Sequence, residues 1–179
     1  VREERPDVFS ATHTAVARWV AAGAVDGLRV DHPDGLLDPA AYFVRLRDLM
    51  PHGWIVAEKI LEHGEHLPPE WPVDGTTGYD AAAVIGQWFV DPHGLRRLGA
   101  IRDELVGPAP GGAELVAEGK RLVLSEMLSA DLNRATDVFL QMCESLRRFR
   151  AVTRHELHEI LREVVVAYPV HRSYVPPST

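Results

Sequence analysis

The sequence contains a single cysteine and no long apolar stretch. Cys143 cannot form a disulfide within the chain, and its place in a helical apolar pattern is typical of a buried structural thiol. No apolar run approaches the roughly 20 residues that span a bilayer. The N-terminus lacks the basic and apolar regions of a signal peptide. These absences predict a cytoplasmic protein with no membrane partner.

Positive charge is also scarce. The 26 Asp and Glu residues outnumber the 19 Lys and Arg residues, the formal net charge is −7, and the basic residues are scattered. Because phosphate binding requires a concentrated positive face, we expect no nucleic-acid partner.

The chain is too short for a complete barrel enzyme. A (β/α)8 barrel typically needs about 250 residues, whereas this chain has 179. It begins with Val and enters directly on a charged segment, residues 1–6. We therefore expect an internal piece of a longer polypeptide.

Two short apolar segments of high β-propensity each deliver a carboxylate. Residues 25–31 end in Asp31, and the segment 54–61 contains Glu58. Enzymes that cleave or transfer sugars need such a pair, because one carboxyl attacks or stabilises the anomeric carbon while the other transfers the leaving-group proton. In a retaining enzyme the two groups lie about 5–5.5 Å apart. The plainer alternatives are that Asp31 begins a turn and that Glu58 is a solvated strand end.

The segment between the two strands predicts a helix. Residues 38–50 place apolar side chains at helical spacing, Asp38 is suited to the N-cap, and Pro39 is suited to the first helical position. A right-handed crossover would make the strands parallel and bring Asp31 and Glu58 to the same edge of the sheet.

Other segments are predicted less specifically. An apolar helical pattern over residues 7–22 predicts a helix before the first strand. The prolines within residues 62–72 exclude a regular helix and favour an ordered loop. Residues 81–167 read as helices, with breaks near 107–112 and 150–153, and we expect no further strand until the region of residue 169.

The predicted fold class is α/β, in three parts. Residues 1–80 would form part of a catalytic (β/α)8 barrel with two parallel strands and flanking helices. Residues 81–168 would form a mainly helical insertion or subdomain. Residues 169–179 would return towards the barrel.

No metal or organic cofactor is expected. The acidic and histidine residues between 62 and 66 match no defined metal-ligand spacing. In the helical segment that begins near His155, Glu159 stands where a zincin helix needs its second histidine.

Four short motifs follow one another in a single stretch of the chain. They are Asp31-His32-Pro33-Asp34-Gly35-Leu36, Glu58-Lys59-Ile60-Leu61, Gly64-Glu65 and Trp71-Pro72-Val73-Asp74-Gly75-Thr76-Thr77-Gly78-Tyr79-Asp80. In this order they resemble the maltooligosyl trehalose synthase family of the α-amylase superfamily. The later segment 168–174 extends the resemblance over essentially the whole chain. It carries His171 where the family pattern leads us to expect Tyr.

The resemblance implies a catalytic pair. Asp31 matches the superfamily's nucleophile, with Arg29 two residues before it, and Glu58 matches the acid/base. Arg29 lies on the same strand face as Asp31, from which it can hold that carboxylate ionised by a charge-assisted hydrogen bond. The superfamily's third catalytic Asp is not visible in this chain.

Further residues are candidates for substrate binding. His32, Lys59 and Tyr79 could donate or accept hydrogen bonds with sugar hydroxyls. Trp71 offers a flat face on which a glucose ring could stack, although an aromatic residue beside prolines is often only a loop anchor.

The implied activity is that of a glucosylmutase, an isomerase of trehalose biosynthesis. The reducing-end α-1,4 bond of a maltooligosaccharide would be rearranged into an α,α-1,1 bond by a retaining double displacement. One alternative is an amylase-like hydrolase or 4-α-glucanotransferase. Another is an inactive fragment that serves as a glucan-binding or structural module. The implied partners are a maltooligosaccharide, the remainder of the barrel and, as a pathway neighbour, maltooligosyl trehalose trehalohydrolase.

Overall fold

The computed structural model describes residues 2, 3 and 5–175 and divides the chain into two compact units. The first unit consists of Val1–Asp91 and Val170–Thr179, and the second is Pro92–Pro169. The predicted segments 1–6 and 169–179 fall in part on residues 1, 4 and 176–179, which lie outside the described residues. The functional division into three domains stays a prediction.

The first unit is of the α/β type. Its helices and strands alternate over residues 6–88: α1 (Pro6–Thr12), α2 (Thr14–Ala21), β1 (Gly27–Val30), α3 (Pro39–Leu49), β2 (Trp54–Ala57), β3 (Gly75–Thr76) and α4 (Tyr79–Trp88). A short 3-10 turn, Pro33–Gly35, follows β1.

The three strands form one parallel sheet in the order β1-β2-β3. The pairing of β1 with β2 confirms the prediction that these two strands are parallel. The third strand was not predicted, because two residues are too few to show an apolar period. The described part of the region around residue 169 contains no strand.

The helix predicted over residues 7–22 is interrupted at His13, which separates α1 from α2. The His13 ring stacks on Phe9 with centroids 4.0 Å apart, and its Nε2 atom lies 2.9 Å from the Tyr42 hydroxyl. The contact with Tyr42 joins residues 29 apart in sequence, so helical periodicity alone could not reveal it.

Helix α3 attaches to the sheet through its apolar face. The Asp38 side chain caps its N-terminus as predicted, accepting a hydrogen bond from the Ala41 amide at 2.9 Å. The core contains side chains from α1, α3, the sheet and the loop before β3, namely Phe9, Val30, Tyr42, Phe43, Leu46, Ile55, Ala57 and Trp71. Burying one large apolar side chain contributes about 1.5–3 kcal/mol, so this face holds the crossover in place.

The second unit is helical. It consists of α5 (Pro92–Val106), α6 (Gly112–Glu126), α7 (Ser129–Ser145), a 3-10 turn (Arg147–Phe149) and α8 (Arg154–Ala167). Both predicted helix breaks are present. The buried side chains are Leu124, Leu132, Thr136, Leu157 and Val166. Cys143 is half-buried rather than fully buried.

Local signals define the ends of α8. Thr153 and Glu156 form a reciprocal capping box at its N-terminus. The Lys120 ammonium donates to the carbonyl oxygens of Val166 and Tyr168 at its C-terminal end. Among the residues that the structure describes, none of the helices combines the length and apolar character needed to cross a bilayer.

Candidate active site

The two predicted catalytic carboxylates lie side by side at the C-terminal edge of the sheet. Asp31 directly follows β1 and Glu58 directly follows β2. The last residues of these strands, Val30 and Ala57, are paired in register, and the Glu58 amide donates to the Val30 carbonyl at 2.8 Å. The parallel pairing therefore brings together two residues that are far apart in sequence.

The Arg29 guanidinium bridges both carboxylates. Its Nη2 atom lies 2.7 Å from Asp31 Oδ1 and 3.5 Å from Glu58 Oε1. Those two oxygens can be no farther apart than the sum of these distances, which is less than the roughly 6.5–9.5 Å between the carboxyl groups of inverting glycosidases. The side chain of Asp31 is 72% exposed and that of Glu58 is 24% exposed.

His32 contributes through its backbone. Its amide donates to Glu58 Oε2 at 3.1 Å. The residue has a φ of 46°, in the left-handed region that histidine tolerates better than branched residues do. The predicted hydrogen bond from its side chain to a sugar stays a prediction.

Two predicted substrate-binding residues are buried, which corrects the roles expected of their side chains. Trp71 is 4% exposed, with its ring against Phe43 and Tyr174, each at a centroid distance of 4.9 Å. It is a loop anchor and offers no face on which a glucose ring could stack. Lys59 is 2% exposed and its ammonium is surrounded by protein groups, so it is not free to bind a sugar hydroxyl.

Tyr79 differs from these two. It is the first residue of α4 and is 45% exposed. Its proposed contact with a sugar hydroxyl stays a prediction.

The Lys59 ammonium belongs to a charge cluster that sequence reasoning missed. Its Nζ atom lies 3.1 Å from Asp34 Oδ2 and 3.2 Å from Glu65 Oε1. It also lies 5.6 Å from the centroid of the Tyr174 ring. The Asp34 and Glu65 side chains are themselves largely buried. Both occur within the motifs quoted above, but nothing in a motif's spacing indicates that its charges meet inside the protein.

The segment that follows the second unit returns to this cluster. His171 Nδ1 lies 3.0 Å from Asp34 Oδ2, and the Tyr174 hydroxyl donates to Asp34 Oδ1. Arg172 donates to three backbone carbonyls of the same loop, those of Asp34, Leu36 and Leu37. His171, Arg172 and Tyr174 of the late motif are therefore bound to the loop after β1, and His171 has a defined position on Asp34.

The cluster shifts the protonation equilibria of its members. Burial acts to raise the pKa of Asp34, but hydrogen bonds from Tyr174, His171 and Lys59 outweigh it and leave that pKa below its ordinary value. Burial acts to lower the pKa of Lys59, and its bonds to Asp34, Tyr174 and Glu65 raise it instead. Burial and the Asp34 carboxylate together raise the pKa of Tyr174 to about 12. Each group is thus held in its ordinary neutral-pH form.

The arrangement has the chemistry of a glycosyl-transferring site. Two carboxylates at the C-terminal edge of a parallel sheet, joined by a guanidinium, are the groups that a retaining displacement at an anomeric carbon requires. Within residues 2–3 and 5–175, no three His, Cys, Asp or Glu side chains are grouped so that they could share a metal ion.

Comparison with known proteins finds similarity to one particular kind of sugar-transforming enzyme. A Mycobacterium tuberculosis protein named as a maltooligosyl trehalose synthase is 53% identical over 102 residues, which are 56% of this chain and 13% of that protein. The solved structure of maltooligosyltrehalose synthase from Arthrobacter ramosus is 43% identical, with a TM-score of 0.81, and the match covers 98% of this chain and 22% of that one. A structure described as a hypothetical maltooligosyl trehalose synthase from Sulfolobus tokodaii is 29% identical, with a TM-score of 0.77, over 100% of this chain and 22% of that one. No protein-family model matches the chain.

These similarities confirm the resemblance that the motifs indicated. The chain is similar to one stretch of maltooligosyl trehalose synthases, and it spans about a fifth of the length of the solved structures it matches.

Proposed function

We propose that this chain carries the nucleophile and the acid/base of a maltooligosyl trehalose synthase. The first unit would supply two neighbouring strands of a (β/α)8 barrel. Within the described residues the sheet ends at β1 and β3, each of which has one side without a strand partner. Unpaired edges of this kind are usually covered or continued in a folded protein, which supports a sheet that continues in the whole protein.

The observation that carries the proposal is the Arg29 bridge. One guanidinium nitrogen within 2.7 and 3.5 Å of the two carboxylates holds them at a separation that a retaining mechanism can use. The upper limit that these two contacts set on the distance between the oxygens is also shorter than the roughly 6.5–9.5 Å typical of inverting enzymes.

In the proposed first step, an Asp31 oxygen attacks the anomeric carbon of the penultimate glucose residue. The bond from that carbon to O4 of the reducing-end glucose breaks, and Glu58 donates its proton to O4. The products of the step are a covalent glycosyl-enzyme and free glucose that is still bound. Arg29 donates a charge-assisted hydrogen bond to Asp31 and so orients the attacking carboxylate.

In the second step the retained glucose turns and presents its anomeric hydroxyl to Glu58. Glu58, now a carboxylate, takes the hydroxyl proton while the sugar oxygen attacks the glycosyl carbon and releases Asp31. The new linkage is α,α-1,1. Water entering in place of the glucose would give hydrolysis, so retention of glucose determines the product.

The larger assembly is part of the same proposal. The maltooligosaccharide is the substrate, the third carboxylate comes from another part of the barrel, and a trehalohydrolase would consume the product. The helical second unit would be an insertion between the barrel strands and the segment that begins at Val170. The cytoplasmic location stays a prediction.

Product analysis tests the reaction. The whole protein that carries this chain is incubated with maltopentaose, and the sugars are separated and assayed for reducing ends. We expect a non-reducing trehalosyl oligosaccharide of unchanged length, absent from the Asp31→Asn variant. Shorter reducing sugars as the main product would favour an amylase-like hydrolase, and a ladder of longer and shorter reducing sugars would favour a 4-α-glucanotransferase.

A further inference from the structure

We propose that Lys59 is a positioning residue, which joins the loop after β1 to the loop after β2 beneath the two catalytic carboxylates and so sets Glu58 for proton transfer. This inference rests on the function proposed above. It assigns Lys59 no contact with substrate.

The first argument is where the cluster lies in the chain. Lys59 directly follows Glu58 in the sequence, and Asp34 is three residues beyond Asp31. The bond between Lys59 Nζ and Asp34 Oδ2, 3.1 Å long, therefore ties the two catalytic loops together immediately behind the residues that react. Arg29 joins the same loops on the exposed side.

The second argument is burial. The Lys59 side chain is 1% exposed, and its two carboxylate partners are also largely buried. A buried ammonium is costly unless its partners and geometry compensate it. Such a charge is poorly suited to exchange its partners for a sugar, and well suited to hold two backbone segments at one separation.

The third argument is the clasp formed by residues 171–174. Tyr174 and His171 bond to the carboxylate of Asp34, and Arg172 bonds to the carbonyls that follow it. Asp34 is thus bonded both to this clasp and to Lys59. The loop that carries Asp31 has little freedom to move relative to Lys59, and hence relative to Glu58.

The chemical consequence differs between the two carboxylates. Glu58 has to lie within hydrogen-bond reach of the glycosidic oxygen, and misplacement by about 1 Å can cost on the order of a hundredfold in rate. Asp31 lies three residues before Asp34, the residue that fixes its loop. Its bond to Arg29 does not involve Lys59 and is kept when Lys59 is lost. Loss of the Lys59 ammonium should therefore slow protonation of the leaving group more than it slows nucleophilic attack.

The experiment compares two substrates in the whole protein. Maltopentaose needs Glu58 to protonate its leaving group, whereas an α-maltosyl fluoride does not. We expect Lys59→Met to lower the rate of glycosyl-enzyme formation from maltopentaose about tenfold to a hundredfold more than the rate of its formation from the fluoride. Tyr174→Phe, which keeps the ring but removes one bond to Asp34, should shift the same ratio in the same direction by a smaller factor.

The matched control is Arg47→Met. Arg47 is also a cation that joins several loops, through Gly53, Pro72 and Asp74, but at the opposite end of β2. Its loss should leave the ratio between the two substrates unchanged, even if the protein becomes less stable.

The outcomes separate the two proposals. If the unaltered protein forms no trehalosyl product, the proposed function fails. If the product forms but Lys59→Met and Tyr174→Phe give the same ratio of maltopentaose rate to fluoride rate as Arg47→Met, the positioning role of Lys59 is wrong. Should Lys59→Met not fold, the ratio for Tyr174→Phe decides the question alone.

Discussion

The two units of the chain use charged side chains in different ways. In the first unit Lys59, Asp34 and Tyr174 meet in a largely buried cluster, across as many as 140 residues of sequence. In the second unit the ion pairs lie on the surface, as in Arg121–Glu163 and Arg154–Asp137. Buried charge holds loops at defined positions, whereas exposed pairs contribute little to stability. Identical substitutions in the two units should therefore have different consequences.

The largest expected effect concerns the catalytic pair of the first unit when this chain is separated from the rest of the whole protein. The purified 179-residue chain should form no trehalosyl product from maltopentaose, because Asp31 is open to solvent and the proposed third carboxylate is not in this chain. Product formation is measured by chromatography. Trehalosyl product made by the chain and absent from its Asp31→Asn variant would show that this chain holds a complete site.

The next effect separates the catalytic pair. In the whole protein, Asp31→Asn should abolish turnover of both maltopentaose and a glycosyl fluoride. Glu58→Gln should lower turnover of maltopentaose by roughly 10²–10⁴-fold but spare formation of the glycosyl-enzyme from the fluoride, whose leaving group needs no proton. Mass spectrometry of the trapped glycosyl-enzyme checks the assignment.

Matched substitutions in the second unit serve as controls for this pair. Asp137→Asn and Glu163→Gln each remove one partner of an exposed ion pair and should leave both rates unchanged. An equal response of Asp31→Asn and Glu58→Gln to the fluoride would contradict the assigned roles.

Lys59 in the first unit and Lys120 in the second allow the two units to be compared by the free energy of unfolding. Lys59→Met leaves two buried carboxylates without their cation and should lower the free energy of unfolding by about 3–5 kcal/mol. Lys120→Met removes bonds to two carbonyls at the end of α8 and should cost only about 1 kcal/mol. All four tryptophans lie in the first unit, so tryptophan fluorescence in urea follows that unit while far-UV circular dichroism follows the helices. Equal losses for the two variants would contradict the structural role of the buried cluster.

The cluster also predicts a pH dependence. The pKa of Tyr174 is raised to about 12 and the pKa of Lys59 is raised above its ordinary value, so the folded state holds both protons more tightly than the unfolded state. The stability from these groups should be complete below about pH 10 and fall as the pH approaches 12. Tyr174→Phe should flatten this decline in urea titrations, whereas Tyr168→Phe in the second unit should leave it unchanged. A decline of the same slope in Tyr174→Phe would contradict the tyrosine's part in it.

The smallest effects should be alike in both units. Asp38→Ala and Thr153→Ala each remove an N-cap that the structure shows bonded, at α3 and α8 respectively. Each should lower the free energy of unfolding by about 1 kcal/mol. Urea denaturation measures both, and a cost several times larger at α3 would mean that Asp38 does more than cap its helix.

The sequence by itself determined the local features of this protein. The cap at Asp38, the strands β1 and β2, the helix breaks near residues 107–112 and 150–153 and the carboxylate at the end of each strand all follow from patterns within a few residues, whereas the break between α6 and α7 was not predicted. The parallel pairing could be predicted too, because handed crossovers leave few alternatives. The family resemblance rested on short motifs of the same local kind.

Only the tertiary structure decided what these residues contact. His13 contacts Tyr42, Trp71 anchors a loop because Phe43 and Tyr174 cover its ring, and Lys59 is buried because Asp34 and Glu65 compensate its charge. Each outcome depends on a partner distant in sequence. The free energy of a buried charge or ring depends on which groups surround it. No periodicity or motif records those groups, so the sequence could place Lys59 beside Glu58 but not show that it faces the protein interior.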